Sequence, residues 1–278
     1  MEENRFRELA EYAFLRRDPH ANKSTYGKTL LIGGSSNYPG AISLAAIGAT
    51  SAAPGYVAIS PDESVAEIVK NRAPLTCVFP AIKSDVSQYD SICFGNGIEN
   101  KGSSTDLLRA ICRHLKPEQR LIIDATGLDV FANIAAEFPA FAENVLLTPH
   151  PGEARRLFGL DKEATFPADY IKAAQSFSAK YGVIVLLKNF ESVVVDAKQT
   201  RTSEYAGVPS LAKAGSGDVL AGFLAGLSAY LWKKASLAEI AEFGDLLFHR
   251  SFKALEETKP AALIKPDDFP EGLLLYLK

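Results

Sequence analysis

The strongest constraint on how this chain can fold is a repeated alternation of short apolar runs with helical stretches. Each run has the length of a buried strand and is cut off by small or polar residues. Thr29–Ile32, Tyr56–Ile59, Ser91–Phe94, Arg120–Asp124, Asn144–Leu147 and Val183–Leu187 are such runs. Helical stretches fall between them over 40–53, 64–70, 104–115, 152–158 and 167–181, and the last third from Val219 to about Leu255 is mostly helical. An amphipathic lead-in helix is expected over 5–16, where Phe6, Leu9, Ala10, Ala13 and Phe14 recur at helical spacing. Ser192–Asp196 and Thr200–Ser203 read as a hairpin around Ala197–Gln199. Strands that alternate with helices predict an α/β fold: a doubly wound, mostly parallel central sheet with helices on both faces. No linker, internal repeat or low-complexity tract divides the chain, so residues 1–278 are expected to form a single domain.

Bulk properties remove several classes of function. Hydrophobic residues make up 47% of the chain and charged residues 23%, enough for a full core. A net charge of −3 gives no basis for binding nucleic acid or a membrane surface. No apolar run approaches the roughly 18 residues of a membrane span. The charged start Met1–Phe6 lacks the apolar core of a signal peptide. The three cysteines are odd in number and lack metal-site spacing. Cys93 and Cys112 lie in apolar surroundings and read as buried thiols of a reducing compartment. A cytoplasmic protein is expected.

Chemistry concentrates at three strand ends. In Ala214-Gly215-Ser216-Gly217-Asp218-Val219-Leu220-Ala221-Gly222, small residues precede one carboxylate and an apolar helix follows. Backbone N–H groups of Gly215, Ser216 and Gly217 can converge at that helix N-terminus and hold an anion. Asp218 is there either a helix cap or a base. Thr148-Pro149-His150-Pro151-Gly152-Glu153 follows another run, and Lys188 ends a third. Ligands of open α/β sheets bind beyond the carboxyl ends of strands, so the coincidence points to one site.

These two motifs, with Gly33-Gly34-Ser35 followed by Tyr38-Pro39-Gly40-Ala41, resemble the ADP/ATP-dependent NAD(P)H-hydrate dehydratase family of the ribokinase-like superfamily. The resemblance runs from about Arg17 to the C-terminal helices. It implies repair of damaged nicotinamide cofactor: water is removed from the S-configured hydrate of NADH or NADPH, with ADP or ATP consumed and Mg²⁺ bridging the nucleotide phosphates. It implies Asp218 as the base, with Gly215, Ser216 and Gly217 as the anion hole. It also implies hydrate contacts at Ala41, Gly97 and His150, and nucleotide contacts at Lys188, Ser192 and Gly217. Relatives of this kind are often homo-oligomers, and the lead-in helix could serve an interface or pack on its own core. No metal-binding side chain is assigned.

Alternatives stay open at individual residues. His150 could simply hydrogen-bond the backbone of its own loop, and Glu153 could be a first-turn helix carboxylate. Asp124 could orient Mg²⁺ or a loop, with a structural strand-end part preferred, and Ser35-Ser36-Asn37 could line the pocket, with capping of the next helix preferred. The chain departs from the family's usual pattern at Asn96, Asn189 and Val208, and Asp124-Ala125-Thr126 lacks a second carboxylate. A small-molecule kinase of the same superfamily, acting on a sugar or vitamin-precursor alcohol, would use the same Asp218. A nucleotide-sensing binder without turnover is the third reading.

Overall fold

The computed structural model describes residues 1–80, 85–138, 141, 143–203 and 207–278. Its strands are β1 (Lys28–Ile32), β2 (Tyr56–Ser60), β3 (Cys77–Val78), β4 (Ser91–Phe94), β5 (Arg120–Ile123), β6 (Val145–Leu147), β7 (Ile184–Leu187), β8 (Val193–Val195) and β9 (Thr200–Thr202). They form one sheet in the order β3-β2-β1-β4-β5-β6-β7-β8-β9. Pairing is parallel from β3 through β7 and antiparallel for β8 and β9, the expected hairpin.

Because successive strand residues point to opposite faces, register sorts the apolar runs into two layers. Ile59, Leu31, Cys93, Ile122, Leu146 and Ile184 are successive cross-strand partners and lie in one core. Ala58, Leu30, Ile92, Leu121 and Val145 form the parallel row one residue earlier and lie in the other. Both faces are therefore buried, which is why the strands are continuously apolar instead of alternating.

The helices are α1 (Glu3–Ala10), α2 (Pro39–Ser51), α3 (Ala66–Arg72), α4 (Gly102–His114), α5 (Thr126–Ile134), α6 (Pro151–Phe158), α7 (Ala168–Tyr181), α8 (Ser216–Leu231), α9 (Leu237–Glu256) and α10 (Phe269–Leu277). Residues from α1, α2, α8, α9 and α10 share the first core, and α4 to α7 the second. Helices α2 and α8 meet almost backbone to backbone. A Cβ at Gly222 would overlap the Ala45 carbonyl, and one at Gly48 the Val219 carbonyl. That contact ties the start of α2, with Ala41, to the start of α8, with Asp218.

Several local expectations change. The lead-in helix begins at Glu3 and ends in one π-helical turn over Glu11–Leu15. Its apolar face packs inward, with the Phe6 ring 5.1 Å from that of Phe243. Ser35-Ser36-Asn37 does not cap α2. The N-cap position is Tyr38 with no side-chain bond, and Pro39 at the first turn leaves one fewer N–H to satisfy. The Asn37 amide instead donates to Glu99 at 3.2 Å. Two helices were not expected. Helix α5 begins inside the polar strand-end segment Asp124–Leu128, and α10 follows a proline-containing turn. No helix among the described residues is long and apolar enough to cross a membrane.

Candidate active site

The loop before α8 makes its turn at Gly215, whose φ of 98° is left-handed backbone that side chains rarely tolerate. Gly215 is the N-cap of α8, with no side-chain capping bond, and Asp218 is the third residue of the helix. Asp218 is therefore not the cap. The first-turn N–H groups around it have no partner inside the helix. The Ser216 N–H reaches the Lys213 carbonyl at a long 3.4 Å.

Asp218 belongs to a buried polar cluster drawn from four strand ends. Beyond β4, the Asn96 amide donates to Asp218 Oδ1 at 2.8 Å and to Asp124 Oδ2 at 3.1 Å. Beyond β5, Asp124 Oδ1 accepts from Thr148 Oγ1 at 2.8 Å and from Lys188 Nζ at 2.6 Å. Lys188 directly follows β7, and its backbone N–H donates to the Pro149 carbonyl at 2.9 Å. Beneath Asn96, the Cys93 thiol donates to the Asn96 side-chain Oδ1 at 3.2 Å. The backbone bends to build this corner: Ala125, next to Asp124, has φ 50°.

Burial sets the charge state of the cluster. It pushes the Asp218 carboxyl up to about 6, Asp124 and Glu153 push the same way, and Asn96 and Lys188 oppose them. Burial also raises Glu153, against the pull of Lys188. Burial draws Lys188 down, but the carboxylates of Asp124, Glu153 and Asp218 outweigh it and leave the ammonium above its ordinary value. Burial drives the Cys93 thiol well up, so it stays neutral.

At β6, His150 caps α6. Its Nδ1 accepts from the Gly152 N–H at 3.0 Å, and Glu153 accepts from the His150 N–H at 2.9 Å. The backbone role foreseen for the ring is present, and the imidazole remains half exposed with Nε2 3.6 Å from Glu153. Glu153 is both a first-turn carboxylate and a buried member of the charged cluster.

A cavity of about 470 Å³ gathers His150, Lys188, Ser192, Ser216 and Gly217. Asn189, Phe190, Val208, Lys213, Phe248 and His249 complete much of its wall. His150 thus lines the cavity of the expected nucleotide residues. Ala41 and Gly97 meet each other elsewhere, with a Cβ at Gly97 falling 3.0 Å from that of Ala41. Asn96 stands between the two groups.

Sequence reasoning passed over Asn96 as a departure, preferred a structural part for Asp124 over one in orienting Mg²⁺, and gave Thr148 no role of its own. An amide flanked by two glycines directly after a strand was the available signal for Asn96. Nothing in the local sequence marks Phe248 or His249, which reach the cavity from α9.

A family model described as NAD(P)H-hydrate dehydratase matches residues 29–245. The chain is similar to the ADP-dependent (S)-NAD(P)H-hydrate dehydratase of Listeria monocytogenes, with 26% identity over 95% of this chain and 92% of that protein. It is also similar to the bifunctional NAD(P)H-hydrate repair enzyme Nnr of Coxiella burnetii, with 30% identity over 92% of this chain. The chain spans about half, 51%, of that bifunctional protein. Among solved structures, a ribokinase-like superfamily protein from Enterococcus faecalis superposes with a TM-score of 0.82 at 25% identity, covering 97% of this chain and 93% of that one.

Proposed function

The chain belongs to the NAD(P)H-hydrate dehydratase family, and from that membership we propose that it removes water from S-configured NADH or NADPH hydrate at the expense of ADP or ATP. The observation that carries this reading is Asp218. It is a partly buried carboxylate raised to about 6, placed in the first turn of α8 where helix N–H groups lack intrahelical partners. A base close to neutral beside an anion site is what phosphorylation of an alcohol requires.

Asn96 takes Asp218 Oδ1, so Oδ2 is the oxygen offered to the C6 hydroxyl of the hydrate. As Asp218 removes that proton, the hydroxyl oxygen forms a bond to the terminal phosphorus of the nucleotide. The bridging P–O bond breaks, releasing AMP from ADP or ADP from ATP. Charge developing on the phosphoryl oxygens meets the N–H groups of Gly215, Ser216 and Gly217 and the α8 dipole. The N1 lone pair of the ring then expels phosphate from C6, and loss of the C5 proton restores the dihydropyridine. Ala41 and Gly97 would border the hydrated ring. Lys188 and Ser192 would face the nucleotide phosphates and ribose, with Phe190 and Phe248 as apolar walls for adenine.

Mg²⁺ would enter on the nucleotide, because Mg²⁺ keeps most of its waters and takes few protein ligands. Asp124 and Glu153, which crowd Lys188, supply the carboxylates available to it. When bound, the ion would neutralise phosphate charge. One continuous sheet carries these strand ends, which supports residues 1–278 as one functional unit.

The test is recovery of 340 nm absorbance from S-configured hydrate with Mg²⁺ and ADP or ATP. Wild type should restore it, and Asp218→Asn should lower kcat at least about 100-fold. A stable phosphorylated alcohol as the end product would instead identify a small-molecule kinase.

A further inference from the structure

The sheet order sets β1 between β2 and β4, so the chain winds away from β1 on both sides. That is the switch point at which doubly wound sheets leave a crevice beyond their carboxyl ends. A second cavity, of about 750 Å³, opens there between the loops that follow β1, β2 and β4. It shares no lining residue with the cavity around Lys188. Its size lies within the roughly 300–1,000 Å³ of small-molecule sites.

Asn96 connects this cavity to the reaction centre. Its amide holds Asp218, and its backbone carbonyl accepts from Gly34 N–H at 2.9 Å. Gly34 lines the second cavity, as do Ile98 and Glu99, just beyond Asn96 and Gly97. A dinucleotide with its hydrated ring at Ala41 and Gly97 therefore has its other half directed into this space. Ile32, Ile98 and Leu107 give an apolar wall for a base. The adjoining Ser35 keeps a buried hydroxyl with no partner among the described residues.

The cavity's charge is lopsided. Among the described residues, Asp62, Glu63, Glu99 and Asp106 line it; Lys101 engages Glu99 at 2.5 Å and Arg109 engages Asp106 at 2.6 Å, which leaves Asp62 and Glu63 without an ion-pair partner. Asp62 stands directly beyond β2. Its N–H is tied to the Gly34 carbonyl at 3.1 Å, and its carboxylate accepts from the Ser64 N–H at 3.0 Å and hydroxyl at 2.8 Å. A carboxylate at the end of a second strand accepts hydrogen bonds from a vicinal ribose diol and repels a 2′-phosphate. The phosphate would bring about −1.5 to −2 charge into a site already negative.

We propose that the second cavity holds the adenosine half of the dinucleotide and that its carboxylates make the protein select NADH hydrate over NADPH hydrate. This rests on the dehydratase reading and narrows it to one substrate.

The experiment compares kcat/KM for the S-configured hydrates of NADH and NADPH in wild type, Glu63→Lys and the double variant Asp62→Ser, Glu63→Lys. Glu63 is exposed, and serine at 62 remains a competent cap, so both variants should fold. Wild type should favour NADH hydrate by about tenfold or more, and the double variant should move that ratio at least about tenfold toward NADPH hydrate. A wild-type ratio near one, or a ratio that neither variant moves, overturns the proposal. If neither hydrate is repaired, the dehydratase reading has failed, and calorimetry then interrogates the cavity alone. ADP-ribose and its 2′-phosphate are titrated with Mg-ADP saturating the other site. Tighter binding of ADP-ribose, with the gap narrowed in the double variant, sustains the assignment; equal binding of the two, or none, overturns it.

Discussion

At the scale of single residues, Asn96 is the most informative position. Its amide bridges Asp124 and Asp218, two carboxylates that would otherwise repel across a buried space. Donating to the ionised form of Asp218 holds the acid below where burial alone would place it. Removing the donor should raise the Asp218 acid further. Asn96→Ala is therefore expected to move the acidic limb of the kcat/KM profile to higher pH and to lower activity most near pH 6. A pH profile that loses amplitude equally at every pH would show that Asn96 only supports the fold. Lys188 teaches a related lesson. A lysine at a strand end reads as solvated, and only the packing of β5 against β6 and β6 against β7 brings it to Asp124.

At the scale of elements, the site depends on how closely α2 approaches α8. A helix over 40–53 and an apolar helix after Asp218 were visible in the sequence. That they pack on each other, with Gly222 against the Ala45 carbonyl and Gly48 against the Val219 carbonyl, was not. A methyl group at either glycine meets backbone, which cannot step aside as a flexible side chain can. Gly222→Ala should cost about 3 kcal/mol and lower the melting temperature by several degrees. Separation of the helices would also loosen the substrate site, so KM should rise along with the loss of stability. A variant with unaltered melting would mean that the helices have room to part. The hairpin β8–β9 and the strands β1, β2 and β4 to β7 were legible because apolar runs announce themselves. The two-residue β3 and helix α5 were not, since one is too short and the other starts within polar residues.

At the scale of the whole molecule, the candidate site is held against the stability of the fold. Asp218 titrates at about 6 in the folded protein against about 3.9 when unfolded. The folded state thus binds this proton more tightly. The resulting stabilisation is complete below about pH 4 and is lost as pH rises through 6. At pH 8 the buried charge opposes folding, so Asp218→Asn should be more stable than wild type by about 1–3 kcal/mol, while the two should converge below about pH 4. Thermal melts from pH 4 to 8 check this, and parallel curves for the two proteins would refute it. The sequence alone determined the fold class and singled out three strand ends and Asp218 as candidates for chemistry, because apolar period and glycine-bracketed motifs are local properties. Only the tertiary structure decided that Asn96, Asp124, Thr148 and Lys188 form one hydrogen-bonded cluster, and that Asn96 joins Asp218 to Gly34 at the edge of the second cavity. Those relations join residues from separate strands, and strand order and register, which no local pattern encodes, bring them together.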